Sequence, residues 1–169
     1  MIVPVAADTI QCVEEASCHS TPDNDLIIGA EFLAEEIFAF DGDDVVYTFG
    51  GPDRVNGDEG SDSIDAGPGV DVVDGGSEDD TIVGDEGHDS LDGNLGDDLI
   101  LGGAGNDIIY GSRGDDNLVG NEGDDDLYGG PGRDQFWCNS GLDTVRDYSQ
   151  AEADKIISEA DCEIIIQSS

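Results

Sequence analysis

The sequence predicts an all-β chain wound as a right-handed parallel β-roll (a β-solenoid) of about seven two-strand coils. Three observations predict it. From Ser20 to Arg146 the chain repeats every nine residues, fourteen units in all once Gly29 is treated as an insertion. The sixth position of every unit is acidic and the eighth is always apolar. The fourth is glycine except at Asp23, Leu33 and Glu78.

Cutting from Gly57 shows the frame: GDEGSDSID, AGPGVDVVD, GGSEDDTIV, GDEGHDSLD, GNLGDDLIL, GGAGNDIIY, GSRGDDNLV, GNEGDDDLY and GGPGRDQFW. The frame runs back through TFGGPDRVN and AFDGDDVVY and forward through CNSGLDTVR. AEFLAEEIF and STPDNDLII complete it upstream. Self-similarity over this length marks a solenoid in which each unit buries its apolar side chain only against its neighbours.

Each column has a physical reason. Glycines at the first, second and fourth positions are expected to turn the backbone tightly, through conformations closed to other residues. A tight turn aims carbonyl oxygens inward, and the acidic residue at position six adds a carboxylate where the turn ends. Positions seven to nine then form a short strand whose side chains alternate between faces, with the eighth pointing inward. Two units complete one coil, with a strand on each side and a turn at each end.

Coils stacked at about 4.8 Å place residues eighteen apart on the same edge. One edge carries Asp25, Asp44, Asp62, Asp80, Asp98, Asp116 and Asp134; the other carries Glu35, Asp53, Asp71, Asp89, Asp107, Asp125 and Asp143. A hard, oxygen-seeking cation fits between successive loops, for example between Asp62 and Asp80 or between Asp53 and Asp71. These fourteen acidic residues are the candidate metal ligands.

The charge points the same way. Five basic residues face 42 acidic ones, a formal net charge of −37. Such a polyacid repels itself unless cations neutralise it. Its only cationic side chains are Arg54, Arg113, Arg133, Arg146 and Lys155, scattered without a patch. Nucleic acid is therefore not expected as a partner, and an anionic membrane surface is disfavoured on the same grounds. No apolar run reaches the roughly 20 residues of a transmembrane helix.

GGAGNDIIY and GGPGRDQFW match the pattern G-G-x-G-x-D-x-U-x without fault. On those residues the chain resembles the RTX, or haemolysin-type, calcium-binding repeat proteins, from Ser20 to Arg146. The resemblance implies that each calcium lies between stacked loops, held by two Asp carboxylates and backbone carbonyls, and that the fold forms only with calcium. Glu35, Leu33 and the inserted Gly29 depart from the pattern, as does Glu78 at a glycine position. Roughly twelve ions would fit the loop pairs, bringing about +24 and leaving the particle near −13. Loops of this type suit millimolar calcium, so an extracellular or cell-surface address is expected.

A stacked coil exposes open ends and needs caps. Residues 1–19 are expected to form one and 147–169 the other, on either side of the 20–146 roll. The opening MIVPVAADTIQ reads either as the stub of an export signal or as an ordinary strand. Ser149 and Glu152 fit a helical capping box, and KIISEADCEIII has strand character. The cysteines fall as two terminal pairs, Cys12 with Cys18 and Cys138 with Cys162, as for structural disulfides in an oxidising compartment. Three connectivities remain open, and zinc, the competing use, lacks CxxC spacing and His partners.

Outward positions differ between the two sheets. One displays Val45, Tyr47, Val83, Leu99, Leu101, Val119 and Trp137, a candidate surface for self-association or a protein partner. The other shows mainly polar residues, relieved by Ile108, Tyr110 and Tyr128. No Ser-His-Asp order, P-loop, zinc motif or EF-hand loop is present, and His19 and His88 read as surface residues. The chain is therefore expected to be a calcium-dependent structural or interaction module and not an enzyme. The alternative is a calcium-stabilised polysaccharide-binding module.

Overall fold

The structure, a computed structural model, describes residues 8–12, 17–31, 33–146, 154–158 and 162–165. Two nine-stranded sheets, both parallel throughout, face each other. Successive strands alternate between them, and among the described residues there is no helix. One sheet runs from Thr9–Gln11 through Val45–Tyr47 and Leu99–Ala104 to Lys155–Ser158. The other runs from Cys18–His19 through Ser90–Leu95 and Ile108–Tyr110 to Cys162–Ile165.

The register is the sequence repeat made spatial. Leu91 lies between Val73 and Ile109, each eighteen residues away. The inserted Gly29 stretches one step to nineteen, so that Ile27 pairs with Val46. Each sheet holds two more strands than the seven that fourteen repeat units supply. The extra strands come from the segments expected as caps, which continue both ladders rather than covering them. KIISEADCEIII contributes Lys155–Ser158 and Cys162–Ile165. The expectations for the first seven residues and for the Ser149–Glu152 capping box lie outside the described residues.

Between the sheets the eighth positions form the core. Ile27, Val46, Ile64, Ile82, Ile100, Leu118 and Phe136 face Ile37, Val55, Val73, Leu91, Ile109, Leu127 and Val145, all at most 1% exposed. No helix among the described residues is long and apolar enough to cross a membrane.

The first-position glycines correct the sequence reading. Gly57, Gly75, Gly84 and Gly93 are buried and do not lie in the left-handed region. They are small because position one also points inward, where Ala39, Thr48, Ala66 and Cys138 stand in other units. Left-handed backbone falls instead at position two, which accepts Asp58, Asp85, Asn94 and Asn121 as well as glycine, and at most fourth positions.

Candidate metal centre: two carboxylate ladders

All fourteen predicted ligands are buried, none more than 4% exposed, and they stand in two columns, one along each edge. Within a column each residue is tied to the next coil by the same bond. The Asp62 N–H donates to Oδ1 of Asp80 at 2.8 Å, and the Asp80 N–H donates to Oδ1 of Asp98 at 2.8 Å. On the opposite edge Asp53 N–H reaches Asp71 Oδ1 at 2.7 Å and Asp89 N–H reaches Asp107 Oδ1 at 2.8 Å. The structure thus brings together the pairs eighteen apart that the repeat predicts.

One carboxylate oxygen of each Asp is used in this way, whereas Oε1 of Glu35 accepts the Ala30 N–H of its own loop at 2.8 Å. The second is not: from Asp44 to Asp125 every Oδ2 of the two columns is buried with no hydrogen-bond partner, as is Oε2 of Glu35. A run of buried, unmatched anionic oxygens is costly and demands a counter-charge. The space beside them is kept open by glycine. A Cβ on Gly84 would lie 2.7 Å from Asp89 Oδ2 and 2.5 Å from the Gly102 carbonyl oxygen. A Cβ on Gly102 would meet Asp107 Oδ2 and the Gly120 carbonyl at 2.5 and 2.9 Å. Carboxylate and carbonyl oxygens from successive coils therefore converge where a side chain is absent, a donor set suited to Ca²⁺. Among the described residues no three carboxylate, thiol or imidazole side chains converge on one point, so such a site would draw on backbone oxygens for the balance.

The electrostatics carry the same signature. Burial pushes the Asp80 carboxyl up to about 8, the backbone N–H of Asp62 opposing and the charges of Asp62 and Asp98 adding to it. Burial likewise raises Asp62, Asp71, Asp116 and Asp125 to about 7, and Asp44, Asp89 and Asp98 to about 6. Like charges in a dry column hold protons until a cation replaces them.

The departures from the repeat are accommodated. Glu78 takes a left-handed backbone, φ 81°, and leaves Asp80 in its place in the column. Glu35 has one methylene more than Asp, and its Oε2 points at the inserted Gly29 instead of the first-position residue. Its N–H still bonds Asp53 Oδ1 at 2.8 Å. Asp25 differs from the interior ligands: its Oδ2 already accepts the Thr21 N–H at 2.9 Å and hydroxyl at 2.8 Å.

Two features escaped the sequence reading. Asp154 is 6% exposed, and its Oδ1 accepts the Asp134 N–H at 3.2 Å, extending one column by a layer. Its separation from Asp134 is twenty, which breaks the nine-residue frame; the adjoining strand character was the available signal. A second, exposed ladder runs at position five in the reverse sense. There Asp79 Oδ1 accepts the N–H of Asp97 at 2.8 Å, and Asp97 that of Asp115 at 2.7 Å. His88 belongs to it, its Nδ1 accepting the Asn106 N–H at 2.7 Å.

The disulfides close the two ends, Cys12 with Cys18 and Cys138 with Cys162. Cys162 pairs in register with Asp143, and so stands where a further sixth-position Asp would stand. Cys138 occupies the first position, where most units have glycine. A covalent bond thus ends this edge at the place where the next carboxylate layer would begin.

The family model of the RTX calcium-binding nonapeptide repeat matches the chain in four copies, over residues 47–82, 74–109, 101–136 and 110–145. The copies overlap into one stretch from 47 to 145, which is 99 of the 169 residues. No curated protein and no solved structure matches the chain.

Proposed function

Because the chain belongs to the RTX calcium-binding nonapeptide-repeat family, we propose that it is an extracellular structural or surface-interaction module whose fold depends on calcium. The repeats imply calcium binding, and together with the two disulfides they suggest a secreted protein. The observation that carries the proposal is the double column of buried carboxylate oxygens without hydrogen-bond partners, most of them set beside a glycine that leaves no side chain between coils.

In this reading Asp44 through Asp125 hold ions between coils, with Glu35, Asp134 and Asp143 at the margins and Asp25 partly committed to Thr21. Up to about twelve ions take part. The ion lends positive charge to a stack that otherwise repels itself along both edges. The module has no catalytic role, because its carboxylates are committed to the ladders. Val83, Leu101, Val119 and Trp137, neighbours in register on one sheet, offer a row for a protein partner or a second copy.

Circular dichroism of the full chain in calcium and in excess chelator tests the reading, with calcium counted by titration. Loss of strand signal in chelator and its return with about one ion per loop pair supports it. A spectrum indifferent to chelator overturns it.

A second reading, a calcium-stabilised polysaccharide-binding module, is favoured by one observation. Tyr110 and Tyr128 stack on the outer face of the other sheet, ring centroids 4.7 Å apart.

A further inference from the structure

We propose that the groove beside Tyr110 and Tyr128 is a saccharide site that takes neutral, hydroxyl-rich sugar rings of an extended glycan. This rests on the second reading above and gives it a location. The groove has a volume of about 330 Å³ and is lined by Tyr110, Ser112, Arg113, Tyr128, Gly130 and Pro131. That volume is at the small end of ligand pockets, enough for one or two rings and too little for a folded partner.

Its lining supplies the three things a sugar ring needs. The first is a rigid aromatic wall. Tyr110 and Tyr128 are register partners on adjacent strands, and the Arg146 guanidinium lies 5.6 Å from the Tyr128 ring centroid, so the rings are held before any ligand arrives. The second is a donor. Arg133 is paired with Asp115 and Arg146 with Asp126, whereas the Arg113 side chain has no carboxylate partner among the described residues. In a chain of net charge −37, a guanidinium left out of every ion pair and lining a groove has N–H groups to spare for hydroxyl oxygens. The third is an acceptor. The Ser112 hydroxyl donates to Asp92 Oδ1 at 2.8 Å, which leaves the lone pairs of its own oxygen available.

Charge selects among saccharides. Asp92 and Asp126 flank the tyrosines, and the whole chain repels anions, so uronates and sulfated glycans are disfavoured against neutral ones. The site lies on ninth, second and third positions and uses none of the ladder carboxylates, so its side chains can be altered while every ladder carboxylate stays in place.

The test uses the full, calcium-loaded chain. Hexasaccharides of a neutral β-glucan, a neutral mannan and a polyuronate are titrated by calorimetry, with NMR of the tyrosine ring signals to locate binding. At least one neutral hexasaccharide is expected to bind, with Y110A and R113A each weakening it about tenfold while circular dichroism and calcium content stay unchanged. The proposal is overturned if no neutral oligomer binds, if only the polyuronate binds, or if both variants bind as the parent does. A chain that folds with calcium yet binds none of the three removes the saccharide site and leaves the calcium reading intact.

Discussion

The N–H of Asp62 and the Oδ1 of Asp80 are 2.8 Å apart, and this bond fixes the carboxylate of one coil by the backbone of the coil before it. It also leaves Asp80 Oδ2 buried and unmatched. Two consequences separate cleanly in variants. D80A removes the acceptor and the charge, and is expected to cost about 1–3 kcal/mol in the calcium-loaded protein. D80N keeps an amide oxygen for the Asp62 N–H and is expected to cost less. Calcium counted by titration is expected to fall in both, and chemical denaturation in calcium ranks their stabilities.

The raised carboxyl pKa values dictate a pH dependence. Asp80 is raised to about 8 and Asp62 and Asp116 to about 7, from an ordinary value of 3.8. In the metal-free chain the folded form then holds more protons than the unfolded form between pH 3.8 and about 8. Stability therefore falls as pH rises through that window, so compact metal-free chain is favoured by acid. Calcium competes for the same oxygens, and its uptake at pH 7 is expected to release protons. Calorimetry in buffers of different ionisation enthalpy measures that release; a heat independent of buffer would contradict it.

Gly105 has a φ of +136°, and a Cβ there would collide with the Gly87 carbonyl oxygen of the preceding coil. G105A is expected to cost at least about 1–3 kcal/mol through the backbone conformation alone. The exposed Phe49 offers the opposite case, at φ 69° where most other units have Asn, Asp or Gly. F49G is expected to raise the denaturation midpoint slightly by relieving that conformation. F40G is expected to gain less, because Phe40 stacks on Phe38 and His19.

Cys138–Cys162 ties the last strand pair to the coil beneath across a sequence separation of 24. Replacing both residues by serine is expected to cost about 2–4 kcal/mol. Hydrogen exchange should quicken first in Lys155–Ser158 and Cys162–Ile165, with the central coils little changed.

The coil architecture and the pairing of Asp62 with Asp80 were legible because one period governs both the side-chain alternation of a strand and the spacing of the turns. Ile27, Ile64 and Leu118 announce the core for the same reason. What was not legible depends on three-dimensional space. The small residues at position one answer to burial, as Ala66 and Cys138 show, and not to a turn. Asp154 joins its column across a spacing of twenty, where the periodic signal has already ended. The groove at Tyr110 needs Pro131 and Gly130 from the next coil, a juxtaposition no local motif encodes.

The eighteen-residue register has a consequence for how such a chain can change length. Removing one whole coil leaves every later strand in its own sheet and every later carboxylate on its own edge. Removing a single nine-residue unit sends all that follows across to the opposite sheet, so that with residues 84–92 removed Tyr110 and Tyr128 would sit in line with Val83 instead. Insertions and deletions that preserve the outer faces therefore come in pairs of units, and the molecule can be lengthened or shortened like a stack of coins without redrawing either surface.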